Sequence, residues 1–241
     1  MRYLVAAAVV GALGVRIAKS RHRRFMHPDG RSFDGELVVT GGRQTGAALI
    51  DRPGRHPVTV RLSKGIGTAP GRADVLGLAV RVHGPVAGRR SDLLFSTAGR
   101  GRWTRHVPVP RRSFDTGYGS ITPYRTGTRR KLYLSARPAP DARPLGPTLE
   151  AVVTAAEGDG ARLELSADGQ PFGTVIFGMP LPAGADAALA FDPVRNTTPD
   201  LHPTGLVHAS RALAYPLSQR WRGAGRARPN GAGVARTAAH R

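Results

Sequence analysis

The chain has 241 residues, 40% of them hydrophobic, which is enough for one well-packed core and short for two. It contains no cysteine, so disulfides, thiolate metal ligands and thiol chemistry are excluded. A formal charge of +20 comes from 36 Lys+Arg against 16 Asp+Glu, but only three of the basic residues are lysines (Lys19, Lys64 and Lys131), and the richness in Arg, Ala, Gly and Pro fits the coding bias of a GC-rich genome. The charge is therefore weak evidence for a polyanion partner: nucleic acid is disfavoured, while an anionic membrane surface and self-association stay open.

In chain order, residues 1–21 form an apolar N-terminal segment. Its run Tyr3–Val15 is shorter than the roughly 20 residues a membrane span needs. Arg16, Lys19, Arg21, Arg23 and Arg24 follow it, so more positive charge stands after the apolar run than before it, the reverse of a signal-peptide flank. A signal, an anchor and a docked helix all remain readings of this segment, and with them a cytoplasmic, membrane-associated or exported protein. From residue 22 the chain reads as short strands punctuated by Gly and Pro. Glu36–Thr40, Val58–Leu62, Leu93–Ser96, Lys131–Ala136, Leu149–Thr154, Arg162–Ser166 and Thr174–Gly178 are strand candidates. So is the stretch in which Leu78, Val80 and Val82 alternate with Ala79, Arg81 and His83. So many short strands without βα alternation predict a mainly β, antiparallel barrel, whose mouth could admit a ligand. Arg137–Pro147 reads as a loop. Val207–Arg222 has helical composition interrupted by Pro216, and the basic tail, residues 224–241, has almost nothing to bury.

The densest chemistry lies in that last helical stretch. Arg211 and Tyr215 stand four apart and share one helix face, with Arg222 further along a similar stripe. A phenol titrates near 10 and is a poor metal ligand at neutral pH unless nearby positive charge stabilises its anion. An arginine one turn away supplies that charge. Spacing alone favours an ordinary amphipathic helix whose tyrosine packs and whose arginines face water.

The residues R-A-L-A-Y-P-L-S-Q-R-W-R-G, from Arg211 to Gly223, resemble the haem-ligand motif of the monofunctional haem catalases, and Ala190-Phe191-Asp192-Pro193 stands before them as a catalase block does. Arg24-Phe-Met-His27-Pro-Asp-Gly30-Arg-Ser-Phe33-Asp-Gly35 resembles the segment holding the distal histidine, and Val58-Thr-Val-Arg61-Leu-Ser63 the strand whose arginine approaches a haem propionate and whose serine bonds that histidine. Asp74-Val-Leu-Gly77-Leu-Ala79-Val80, Ser91-Asp92-Leu93-Leu94, and Gly117-Tyr118-Gly119-Ser120 with Thr122 complete a collinear series over residues 22–223. The resemblance implies a catalase-like haem-binding domain over 22–223, with a C-terminal ligand helix and a short N-terminal helix. It implies haem b as cofactor, with Tyr215 on the iron and Arg211 beside it. Arg24, Arg61 and Arg222 would face the propionates, and His27, Ser63 and Thr97 would serve the peroxide side. The ligand assignment follows the tyrosine ligation known for catalase.

The pattern also departs from the family. Catalases follow their D-L-V block with Gly-Asn-Asn-Thr, whereas Asp92-Leu93-Leu94 is followed here by Phe95-Ser96-Thr97-Ala98, so Thr97 is read at the position of the peroxide-holding amide. Leu213 and Leu217 replace an expected Phe and an acidic residue, and the chain resembles the minimal catalase-related peroxidases more than the large catalases. The expected activity is thus a haem-dependent peroxidase or weak catalase acting on hydrogen peroxide or organic hydroperoxides. A hydroperoxide isomerase or dehydratase similar to the allene oxide synthases, and a non-enzymatic haem-binding protein, are the alternatives. No P-loop, HExxH or nucleophile elbow is present, and His202 and His208 lack partners at ligand spacing.

Overall fold

The structure is a computed structural model that describes residues 27–84, 89–99 and 101–204. The expected N-terminal and C-terminal helices, the apolar segment 1–21 and the tail 224–241 lie outside the described residues. The chain is mainly β. Strands β1 (Asp29–Val39), β2 (Gly54–Lys64), β3 (Leu76–His83), β4 (Arg90–Ser96), β5 (Tyr118–Gly119), β8 (Leu134–Pro138), β9 (Arg162–Ala167) and β10 (Gln170–Pro180) close an eight-stranded antiparallel barrel in the order β1-β10-β9-β8-β5-β4-β3-β2. Beside it, β6 (Tyr124–Thr126), β7 (Lys131–Leu132) and β11 (Leu201–Pro203) form a small sheet in the order β11-β6-β7.

The barrel follows from strict alternation. Phe33 and Leu37 on β1, Val58, Val60 and Leu62 on β2, Leu78, Val80 and Val82 on β3, and Leu93 and Phe95 on β4 are buried on one face. Cross-strand register joins them, with Phe33 opposite Val60, Val60 opposite Val80, and Val80 opposite Leu93. Leu163, Leu165, Val175 and Phe177 belong to the same core, in which the Phe33 and Phe177 rings lie 5.4 Å apart. Side chains of these strands therefore fill the barrel interior.

Two predicted strands are corrected. Leu149–Thr154 lies in the helix α2 (Leu149–Ala156), which follows the single-turn α1 (Ala48–Asp51). The Thr148 hydroxyl caps α2 by accepting from the Ala151 N–H at 3.2 Å, and Val152, Ala155 and Ala156 are buried along one side. The Ala-Val-Val run thus serves a 3.6-residue period, not a two-residue one. Lys131–Ala136 splits into β7 and β8, with Tyr133 between two different sheets. A third helix, α3 (Ala183–Ala188), follows β10 and was not expected. Among the described residues no helix is long and apolar enough to cross a membrane.

Candidate functional site

Directly opposed residues of an antiparallel sheet share a face, so the register sorts the outer surface of β1–β4 into three rows. The first is Gly30, Ser63, Gly77 and Ser96; the second Ser32, Arg61, Ala79 and Leu94; the third Asp34, Thr59, Arg81 and Asp92. An outer barrel face would ordinarily be wet. Here Ser32, Arg61, Ser63, Arg81 and Asp92 are all buried.

His27 leads into the first row. Its backbone is left-handed, with φ 59°, and its N–H donates to Gly65 O at 3.1 Å. That conformation is uncommon without a glycine, although histidine tolerates it better than most residues. The ring then lies along Gly77. A Cβ added at Gly77 would be 2.6 Å from His27 Nδ1 and 2.9 Å from Ser63 Oγ, so only glycine leaves the ring room. Nδ1 and Ser63 Oγ are 3.0 Å apart, and Ser63 Oγ also donates to Gly77 O at 3.4 Å. These two contacts are satisfied together when Nδ1–H donates to Ser63 Oγ and the serine O–H points to Gly77 O. Nε2 is then the unprotonated nitrogen, the tautomer a proton acceptor requires.

The second row holds Arg61. Its guanidinium crosses β1 above Gly30, where a Cβ would come within 2.6 Å of Nη2. Asp186 on α3 accepts from Arg61 Nη1 at 2.5 Å and from Ser32 Oγ at 2.5 Å. Leu181 N–H, just before α3, donates to Ser32 O at 2.8 Å. Burial lowers the pKa of Arg61, and the Asp186 carboxylate opposes that shift. The guanidinium stays charged throughout the biological range.

In the third row Arg81 and Asp92 form a bidentate pair, Nε to Oδ1 and Nη2 to Oδ2, each 2.7 Å. The segment after α3 closes over them. Ala190 O accepts from Arg81 Nη2 at 2.6 Å and the Phe191 ring lies 4.9 Å from its guanidinium carbon. Asp192 N–H and Asn196 Nδ2 donate to Asp92 Oδ2 at 2.6 and 2.8 Å. The Ala190–Pro193 block is thus a structural latch on β3 and β4. Next to it, burial and then the charges of Arg81 and Arg90 hold His83 below the ordinary imidazole range, and its Nε2 lies 3.0 Å from Thr59 Oγ1.

Of the residues expected at a site, the structure brings His27, Ser63 and Arg61 onto one face. Arg24, Arg211, Tyr215 and Arg222 lie outside the described residues. Thr97 is fully buried just beyond β4; its hydroxyl accepts from Leu76 N–H at 3.0 Å and donates to Val109 O at 2.7 Å, so both bonds go to backbone. Ser96, which the sequence reading passed over, is the residue that shares a row with Gly77 and hence with the His27 ring. Asp186 was also missed, since nothing in an alanine-rich turn marks it as the partner of an arginine 125 positions away. His202 lines a shallow cleft of about 330 Å³ with Pro193, Thr197 and Pro199, its Nδ1 3.2 Å from Pro199 O. Among the described residues there is no cluster of three or more His, Asp or Glu side chains suited to a metal ion.

No family model and no curated protein matches the chain.

Proposed function

We propose that the outer face of β1–β4 is the peroxide side of a haem b site, and that the protein is a haem-dependent, catalase-like peroxidase or weak catalase acting on hydrogen peroxide or organic hydroperoxides. The observation that carries this reading is the His27–Ser63–Gly77 arrangement: an imidazole with Nδ1 3.0 Å from Ser63 Oγ, laid along a glycine whose added Cβ would crowd both. The donor chemistry of the described residues fits the group. A histidine positioned as a base and a buried arginine on the same face are what a peroxide-facing haem pocket needs.

Tyr215, with Arg211 one turn away, would hold the iron as a phenolate, and Arg24, Arg61 and Arg222 would pair with the propionates. Haem b would supply the redox-active iron at which the O–O bond of the peroxide is broken. His27 would take a proton at Nε2 from one peroxide oxygen and return it to the other. Ser63 would hold the ring so that this nitrogen, and not Nδ1, faces the substrate. Arg61 already has a carboxylate on Nη1, so a propionate would share its guanidinium with Asp186 or take that residue's place.

The deciding experiment is the absorption spectrum of protein purified with adequate haem supply. A Soret band of tyrosinate-ligated ferric haem is expected, and in Tyr215→Phe it should weaken or move. No chromophore in the wild-type protein would end the reading, and an unchanged band in the variant would remove Tyr215 from the iron. Product analysis with an organic hydroperoxide and no added reductant separates peroxidase from hydroperoxide isomerase.

A further inference from the structure

On the segment 101–109, between Thr97 and the strands that follow, the chain holds a tryptophan out in water. Trp103 is 80% exposed and Val107 is 54% exposed. This protrusion is built from within. Arg105 N–H donates to Gly101 O and Val107 N–H to Thr104 O, each at 2.9 Å, around the single 3-10 turn Thr104–His106. Gly101 N–H donates to Thr104 Oγ1 at 2.9 Å, and the base is closed by Gly99 N–H on Val107 O at 3.2 Å. A tryptophan can bury on the order of 150–250 Å² of surface. Here most of that surface is left exposed.

The surroundings are basic. Between Asp92 and Asp115 the sequence has no carboxylate and five arginines. The Arg102 guanidinium lies 5.5 Å from the Trp103 ring, and that of Arg105 lies 4.4 Å from the Tyr133 ring, whose other contact is the edge of His106 at 5.7 Å. The acid nearest in this contact network is Asp168, which accepts from Tyr133 N–H and is paired with Arg130 at 3.2 Å.

We propose that this loop docks on an anionic lipid bilayer, with Trp103 and Val107 entering the interface and the exposed Arg102 facing the headgroups. Tryptophan prefers the boundary between headgroup and hydrocarbon, and arginines beside it gain from the negative surface potential. A single-stranded nucleic acid instead calls for a run of open aromatic faces along a groove. The second aromatic here, Tyr133, is covered by Arg105 and His106, which leaves one open ring beside an aliphatic side chain. The apolar run Tyr3–Val15 with its basic flank is a second feature of the same chain suited to a bilayer, and stable attachment ordinarily takes two such signals.

The loop can be followed separately from that run because the chain has only two tryptophans. In full-length Trp221→Phe, Trp103 is the sole indole. With vesicles of equimolar phosphatidylcholine and phosphatidylglycerol its emission should move to the blue and its quenching by acrylamide should fall; with phosphatidylcholine alone neither should change. Adding Arg102→Gln should raise the anionic lipid needed for half the effect by about fivefold. Unchanged Trp103 emission in protein that nevertheless sediments with the vesicles would overturn the proposal, leaving attachment to the N-terminal segment. An equal shift with neutral vesicles would also overturn it, as would a shift with single-stranded DNA and none with lipid.

Discussion

The imidazole of His27 occupies the space that a side chain on Gly77 would need, with Nδ1 only 2.6 Å from the position of an added Cβ. One residue thus constrains another that is 50 positions away in sequence. In Gly77→Ala the methyl meets the His27 ring and Ser63 Oγ together, and the ring is the part able to move, because it enters the sheet from the chain end of β1. The expected outcome is a protein that still folds, destabilised by about 1–3 kcal/mol from overpacking. On the proposed peroxidase reading, its rate with peroxide should fall toward that of His27→Ala, itself at least about a hundredfold below wild type. Stopped-flow reaction with hydrogen peroxide at matched haem content checks this. A Gly77→Ala rate equal to wild type would show that the His27 ring position does not matter for turnover.

The strands of this outer face were legible because apolar and polar residues alternate along β2 and β3, so sequence alternation separates Val58, Val60 and Leu62 from Thr59, Arg61 and Ser63 even though all six are buried. The His27–Ser63 contact was expected only through a family resemblance, for two polar residues 36 apart carry no local signal of meeting. Arg81 and Asp92 were both in view, but pairing them requires the β3–β4 register, which a sequence does not display. Leu149–Thr154 was misread because a six-residue apolar window fits either period, and the cap at Thr148 lies just outside it. Asp186 was illegible for a different reason: α3 is short and exposes most of its surface, so no amphipathic pattern announces what it covers.

The Arg81–Asp92 pair makes the second prediction. Asp92 is 2% exposed and accepts from Arg81, Asp192 N–H and Asn196, so replacing it leaves a buried guanidinium without its counter-charge. Asp92→Ala should lower stability to denaturant by about 3–5 kcal/mol. Loosening should be greatest in residues 190–196, read as loss of amide protection there. Converting both partners to leucine should cost less than the single change, since two apolar groups need no compensation. Equal or greater loss in the double variant would show that the latch, not the charge pair, carries the stability.

Asp74 gives a pH dependence of determinate sign. Burial raises its pKa, but hydrogen bonds donated by Thr68 N–H at 2.9 Å and Ile66 N–H at 2.8 Å outweigh that and hold the carboxyl below its ordinary value. A carboxyl depressed by folding stabilises the fold above the unfolded pKa near 3.9, and that contribution is lost as pH falls through the lower, folded value. Asp51, where the opposing effect of burial is likewise outweighed by hydrogen bonds from Thr45 and Gly46, acts in the same direction. Asp74→Asn should therefore be less stable than wild type by about 2 kcal/mol at neutral pH, a typical value for hydrogen bonds to a charged group. The difference should shrink in acid below the carboxylate range. Urea midpoints measured across that range test it, and a gap that stays constant would assign the loop to Asp74's shape and not its charge.

The last prediction concerns where an amide could assist peroxide binding. The catalase pattern, aligned on Asp92, directs attention to Thr97, but the Thr97 hydroxyl bridges Leu76 N–H and Val109 O in a fully buried position. Thr97→Asn must fit a longer side chain there and break at least one of those bonds, so it should cost about 1–3 kcal/mol with no gain in turnover. Ser96 is one residue earlier and on the opposite face by strand alternation, directly across from Gly77, along which the His27 ring lies. Side chains opposed in this way have Cβ atoms within about 5.5 Å of each other, and glycine leaves the intervening space to the imidazole. Ser96→Asn should therefore place an amide donor beside His27, and any increase in hydrogen peroxide disproportionation should come from that substitution. The two variants share chemistry and differ by one position, so the comparison controls for the added amide. Greater turnover in Thr97→Asn than in Ser96→Asn would mean that the chain around Phe95 does not keep its β4 alternation in the haem-bound form that the proposed function requires.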